Sequence, residues 1–282
     1  MRFGDSPESD NFEDRTGQSG GGGMNLGGGL GLILSLVASR FGIVGIVILL
    51  LGYCVLTQFT GGGGMLGGGG STESGPSKLD PATGKFIRQV LGSTEQVWGQ
   101  VFQQAGAKYT PTRLVAYTDY NQSGCGAAQA AMGPFYCPTD KQIYIDPAFF
   151  NELSRRFGAP GDFAQAYVIA HEVGHHIQDL EGTLDKAQAA QARTSATGGN
   201  AIQVGVELQA DCYAGVWAAR SGALEQGDIE EGMRAAEAIG DDMLTKGQVS
   251  PDNFTHGTSA QRMEALRRGL SSGNPSSCNY SR

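Results

Sequence analysis

The pentapeptide HEVGH at residues 171–175 constrains this chain more strongly than any other segment. It follows an apolar stretch and lies between a helix start signal at Gly161-Asp162 and a stop signal at Gly182. Residues four apart on a helix differ in direction by about 40°, so His171 and His175 would face one point. This spacing is typical of helices that bind zinc through two imidazole nitrogens. The sequence therefore predicts a helix that presents two zinc ligands.

A glutamate between the two histidines is a candidate for catalysis. Glu172 would lie about 100° round the helix from His171, which places its carboxylate beside a metal rather than on it. A carboxylate in that position can accept a proton from a water molecule that zinc has acidified. We therefore predict that Glu172 is a catalytic general base.

A catalytic zinc site needs a third protein ligand and one open position. The metzincin pattern would place Gly and His where this chain has Gln178 and Glu181, so it does not apply. The segment GVELQAD, on a second predicted helix, offers Glu207 as the third ligand. Asp211, four residues later on the same face, would accept the other ring N–H of a ligand histidine. The alternative is that Asp211 is itself the third ligand.

Three further polar residues have two interpretations each. His256 precedes the last predicted helix and is a candidate catalytic residue that stabilises an oxyanion; the alternative is an ordinary loop histidine. Arg262 could pair with Asp211 or with a substrate carboxylate, but a solvated side chain is the favoured interpretation. His176 points away from the metal face and is predicted either to support a metal ligand from outside or to be a packing residue.

A long apolar run lies between two glycine-rich blocks near the start of the chain. At 1.5 Å per residue, residues 30–56 are about long enough to cross a hydrocarbon core of ~30 Å, which predicts one transmembrane helix. A cleaved signal peptide is the alternative. The predicted organisation is a flexible cytoplasmic tail at 1–29, the transmembrane helix at 30–57, a linker at 58–79, and a zinc metallopeptidase domain at 80–282.

Flanking charges and cysteines predict the orientation. Arginines precede the apolar run, whereas Lys78 is the first cation after it, which favours a cytoplasmic N-terminus and an exported domain. Cys54 lies in the run, and an even number of cysteines follows it, as expected for two disulfides in an oxidising compartment. Their spacing favours a bond between Cys125 and Cys137, which leaves Cys212 with Cys278; free buried thiols are the alternative.

The net charge excludes one class of function, and the periodicity of apolar residues indicates the fold class. The net charge of -8 argues against a nucleic-acid-binding surface. Strands are predicted at 113–120 and 141–146, joined by a turn, among helices that begin with one at Pro81 broken near Gly92. A polar connector at 185–200 and a helix at about 224–246 complete the prediction. The fold class is therefore α+β.

Five segments in order resemble the neutral zinc metallopeptidase family of bacterial single-pass membrane proteins. They are SDNFEDR, the stretch from SGCG to KQIYID, AHEVGHHIQ, ELQADCYAG and HGTSAQR. The resemblance implies a zincin-like (gluzincin) domain with a small antiparallel-edged sheet, in which KQIYID is the edge that lines the cleft. It also implies one Zn²⁺ per chain, a peptide or protein substrate, and an extracytoplasmic domain anchored in the bacterial inner membrane. The alternatives are a non-catalytic zinc scaffold of the cell envelope and a zinc amidase that acts on cell-wall peptides.

Overall fold

The computed structural model describes residues 1–4, 6–18 and 75–280. The predicted transmembrane helix at 30–57 and most of the linker at 58–79 lie outside the described residues. Within the described ranges, no helix combines the length and the apolar character that a membrane crossing requires.

The described residues form an α+β structure of six strands and eight α-helices. The strands are β1 Phe12–Asp14, β2 Arg113–Ala116, β3 Tyr120–Ser123, β4 Gly126–Gln129, β5 Phe135–Cys137 and β6 Gln142–Ile145. The helices are α1 Pro81–Gln104, α2 Ala148–Arg155, α3 Asp162–Leu180, α4 Thr183–Gln191, α5 Ala196–Ser221, α6 Asp228–Ala238, α7 Asp241–Leu244 and α8 Ser259–Ser272.

The main sheet has the order β1-β2-β6-β5, and β3 pairs with β4 in a separate hairpin. Strands β1, β2 and β6 are parallel to one another, and β5 runs antiparallel to β6 at one edge. The prediction of an antiparallel-edged sheet is confirmed. The prediction that KQIYID forms the edge is wrong, because β6 pairs with a strand on each side. GPFYCPTD is not only a turn, since Phe135–Cys137 supplies that edge strand.

The N-terminal residues are part of the same compact unit as residues 74–282. Phe12, Glu13 and Asp14 pair in parallel with β2, and Phe3 is buried in the main core. The α-ammonium group of Met1 donates to Asp162 Oδ2 at 2.6 Å, at the start of α3. Within the described part of residues 1–18, the chain is therefore packed on the domain and is not a flexible tail. Residues 19–29 of the predicted tail lie outside the described residues.

The same segment explains why the predicted break in α1 is wrong. Helix α1 runs without interruption through Gly92. A Cβ at Gly92 would lie 2.5 Å from the carbonyl oxygen of Pro7, and the Ser9 N–H donates to the Arg88 carbonyl nearby. Glycine is required here because the N-terminal segment crosses the helix at backbone contact distance, not because the helix ends.

The remaining helices carry the site and differ from prediction mainly at their boundaries. Helix α3 matches the predicted helix, and the left-handed Gly182 (φ 70°) follows it. Part of the predicted connector at 185–200 is helical, because α4 occupies much of it and α5 begins at Ala196 behind a Ser195 N-cap. The single helix predicted at 224–246 is two helices, α6 and α7.

Both predicted disulfides are present in the structure. Cys125 is bonded to Cys137, which ties the β3–β4 hairpin to β5. Cys212 of α5 is bonded to Cys278 in the C-terminal segment. The alternative of free buried thiols is therefore wrong for these four residues.

Candidate metal centre

Two histidines of α3 and one glutamate of α5 converge on a single point. Their ligand atoms all lie within 4.8 Å of one another. His171 Nε2 is 3.2 Å from Glu207 Oε2, and His175 Nε2 is 3.7 Å from Glu207 Oε1. A tetrahedral zinc with bonds of about 2.0–2.1 Å holds its ligand atoms roughly 3.3 Å apart. The donor set of two imidazoles and one carboxylate fits zinc, and three protein ligands leave one of its four coordination positions to another group.

The close approach of α3 and α5 brings these residues together. A Cβ at Gly174, inside the HEVGH motif, would lie 3.0 Å from the backbone of Ala210. Any larger side chain at Gly174 would push the helices apart and carry Glu207 away from the histidines. The glycine of the motif therefore sets the distance between the ligands on the two helices.

Neighbouring positive charge keeps Glu207 ionised against the effect of burial. Burial by itself raises the pKa of Glu207, but the two motif histidines and His256 outweigh it and hold that pKa well below its usual range. The residue is only 7% exposed. A buried carboxylate that stays negative is suited to bind a cation.

The outer nitrogen of His171 contacts a buried polar cluster. Its Nδ1 is 2.8 Å from Asp211 Oδ1, which also accepts a hydrogen bond from the Tyr167 hydroxyl. Arg262 of α8 donates to both oxygens of Asp211. The prediction that Arg262 is solvated is wrong, because it is 2% exposed. Burial lowers the pKa of His171, but the Asp211 charge and hydrogen bond outweigh burial and raise it to about 10.

The outer nitrogen of His175 has a neutral partner that sequence reasoning missed. Its Nδ1 is 2.9 Å from Gln178 Oε1, three residues along the same helix. The Gln178 amide nitrogen donates to the Val206 carbonyl at 2.7 Å and to Gln209 Oε1 at 2.9 Å. The three-residue spacing from His175 on one helix is the sequence signal that identifies Gln178 as its neighbour.

Glu172 lies where the sequence places it, on α3 next to His171 and outside the ligand cluster. It is 7% exposed, and its negative charge favours the protonated form of His175. Its carboxylate is therefore close enough to His175 to act on that ligand electrostatically.

His256 and His176 are both outside the cluster of ligands. The exposed His256 is close enough to Glu207 to stabilise its negative charge. Its Nδ1 is 3.1 Å from Asp241 Oδ1, and Asp241 Oδ2 accepts its backbone N–H at 2.7 Å. His176 is a packing residue, since it hydrogen bonds to the Tyr136 hydroxyl and to the Thr110 carbonyl.

Comparison with known proteins identifies relatives along the whole chain. The family model described as "Putative neutral zinc metallopeptidase" matches residues 1–280. The uncharacterized protein YpfJ of Escherichia coli K12 is 44% identical over 99% of this chain and 98% of its own length. The uncharacterized protein Rv2575 of Mycobacterium tuberculosis is 36% identical over 69% of this chain and 70% of its own length. No solved structure matches. The chain therefore belongs to the neutral zinc metallopeptidase family.

Proposed function

We propose that this chain is a zinc metalloendopeptidase, with His171, His175 and Glu207 as the metal ligands and Glu172 as the general base. One observation carries the proposal: three donor atoms typical of catalytic zinc lie within 4.8 Å of one another, and Glu172 adjoins them on the same helix. The arrangement also supports a gluzincin-like site, in which an ExxxD helix supplies the third ligand.

The roles of the chain's own residues follow from their positions. A bound zinc supplies Lewis acidity that polarises a carbonyl and lowers the pKa of water. Glu172 would accept the proton of the attacking water and pass it to the nitrogen of the leaving amine. With both ring nitrogens protonated, His256 would donate a hydrogen bond to the oxyanion from Nε2, while its Nδ1–H bond to Asp241 would hold the ring towards the site.

The polar contacts favour Glu207 over Asp211 as the third ligand. Both Asp211 oxygens accept charge-assisted hydrogen bonds from Arg262, and one also contacts His171 Nδ1. Glu207 instead faces the inner Nε2 atoms of both histidines. Asp211 is therefore suited to orient His171 rather than to bind the metal.

The two disulfides support an oxidising working compartment, outside the cytoplasm. Because β1 pairs with β2, residues 1–18 would share that compartment with the peptidase domain. The cytoplasmic N-terminus that flanking charges predict, together with an exported domain, does not fit this pairing. A single membrane crossing between residues 30 and 57 would place residues 12–14 and 113–116 on opposite sides, so it is not compatible with this pairing. Residues 30–57 themselves lie outside the described residues.

Metal analysis and a peptide-library cleavage assay on the full chain test this function. We expect about one zinc per chain and cleavage that a chelator abolishes. Glu172→Gln should retain zinc and lose about 10²–10⁴-fold in kcat, since it removes the base. Glu181→Gln is the matched control, because Glu181 ends the same helix and hydrogen bonds to Tyr213. Zinc binding without cleavage by wild type would instead favour the scaffold alternative.

A further inference from the structure

The outer nitrogen of His171 contacts the carboxylate of Asp211, whereas that of His175 contacts the neutral amide of Gln178. We propose that Gln178 is a positioning residue, which fixes the ring of His175 so that its Nε2 faces the metal. The proposal rests on the metal site described above. Gln178 is completely buried, and its side-chain oxygen lies 2.9 Å from His175 Nδ1.

The hydrogen bonds of Gln178 determine which way its amide points. Its nitrogen is 2.7 Å from the backbone carbonyl of Val206, which can only accept. The nitrogen must therefore face Val206, and the oxygen must face His175. An amide oxygen can only accept, so His175 Nδ1 carries the proton and Nε2 keeps the lone pair that a metal needs.

A second glutamine fixes this orientation from the other side. Gln209 Nε2 donates to the carbonyl of Cys278 at 3.0 Å, so Gln209 Oε1 faces the nitrogen of Gln178 at 2.9 Å. The two glutamine amides therefore lie between the backbone carbonyls of Val206 and Cys278. Because a carbonyl can only accept, neither amide can be turned round without losing its hydrogen bond. Cys278 is in turn bonded to Cys212 on α5, so the C-terminal segment helps to hold the two amides in place.

The hydrogen bond between Gln178 and the Val206 carbonyl links α3, which carries the histidine ligands, to α5, which carries Glu207. Its carbonyl belongs to the residue immediately before Glu207, and it accepts from a side chain of α3. Gln178 therefore touches His175 and braces the turn of α5 that carries the third ligand. Loss of the Gln178 amide would affect the two ligands His175 and Glu207. His171 would keep its hydrogen bond to the Asp211 carboxylate.

Zinc affinity and a cobalt spectrum test the role of Gln178 in the full chain. Gln178→Leu should weaken zinc binding about 10–100-fold in competition with a chromogenic chelator and alter the visible spectrum of the Co²⁺-loaded protein. Gln178→Glu keeps an acceptor for His175 and should recover part of the affinity. The matched control is Gln89→Leu, which removes another buried amide that donates to a backbone carbonyl, that of Gly4, away from the metal centre.

A measurement on the wild-type protein covers the case in which Gln178→Leu does not fold. In the zinc-loaded protein, long-range ¹H–¹⁵N NMR should show a slowly exchanging proton on His175 Nδ1 and coordination through Nε2. Coordination through Nδ1, or wild-type affinity in folded Gln178→Leu, would overturn the role of Gln178. A wild-type chain that binds no zinc would refute the proposed function itself.

Discussion

Arg262 and Asp211 form a two-point ion pair that is almost completely buried. Arg262 Nε lies 2.9 Å from Asp211 Oδ2, and Arg262 Nη2 lies 2.8 Å from Asp211 Oδ1. Burial by itself raises the pKa of Asp211, but Arg262 and His171 outweigh burial and lower it. The guanidinium of α8 therefore keeps the partner of His171 ionised.

Removing one member of this ion pair should destabilise the folded protein. Arg262→Met leaves the Asp211 carboxylate buried without its cation, so we expect the free energy of unfolding to fall by about 3–5 kcal/mol. Arg262→Lys keeps the charge but loses the two-point geometry, and should lie between Met and wild type. Denaturant unfolding measures both. The double variant with Asp211→Asn should cost less than the sum of the single variants, and strict additivity would contradict the coupling.

The identity of the third ligand can be decided by two substitutions. Glu207→Ala removes the carboxylate whose two oxygens face the Nε2 atoms of His171 and His175, so stoichiometric zinc binding should be lost. Asp211→Asn removes only the charged support of His171, so zinc should remain with an affinity about 10–100-fold weaker. Zinc content after dialysis against a weak chelator measures both. The opposite ranking would make Asp211 the ligand.

The local parts of the site could be predicted from the sequence because helix geometry alone fixes them. His171, Glu172 and His175 are related by helical spacing, and Glu207 and Asp211 are related in the same way on a second helix. The cysteine pairs followed from number and spacing. Each of these predictions depends on residues within one helix or on a small set of pairings.

The parts that sequence reasoning missed depend on contacts between distant segments. The burial of Arg262 follows from the packing of α8 on α5. Arg262 is 51 residues from its partner Asp211 in the sequence. The role of Gly92 depends on the passage of Pro7 over α1, which no periodicity reveals. The position of β6 inside the sheet follows from β5, whose three residues are too few for an alternating pattern.

The bond between Asp241 and His256 should make part of the stability depend on pH. Burial raises the pKa of Asp241, but hydrogen bonds from His256 and neighbouring backbone groups outweigh it and lower that pKa below its usual 3.8. A lowered folded-state pKa stabilises the protein above the unfolded-state pKa, and this contribution is lost as pH falls through the folded value. Wild type should therefore exceed Asp241→Asn by about 1–3 kcal/mol near neutral pH.

Denaturant unfolding of both proteins between pH 7 and pH 3 measures this difference. The difference should begin to shrink as pH falls below the usual 3.8, because wild-type Asp241 loses its contribution progressively as it becomes protonated. A constant difference across the range would show that the effect of the substitution is steric. The same variant should lower kcat if Asp241 holds His256 towards the substrate, with little change in zinc content.

The pairing of β1 with β2 predicts that the two ends of the chain share one side of any membrane. Asp10 and Lys108 are both exposed positions of the same compact unit, one before and one after the apolar run. Single cysteines at these positions, in a Cys54→Ser background, should react alike with a membrane-impermeant maleimide in intact cells. Labelling of both also agrees with the oxidising compartment that the disulfides favour. Labelling of Lys108→Cys but not Asp10→Cys before permeabilisation would contradict the pairing and restore the single crossing that flanking cations predict.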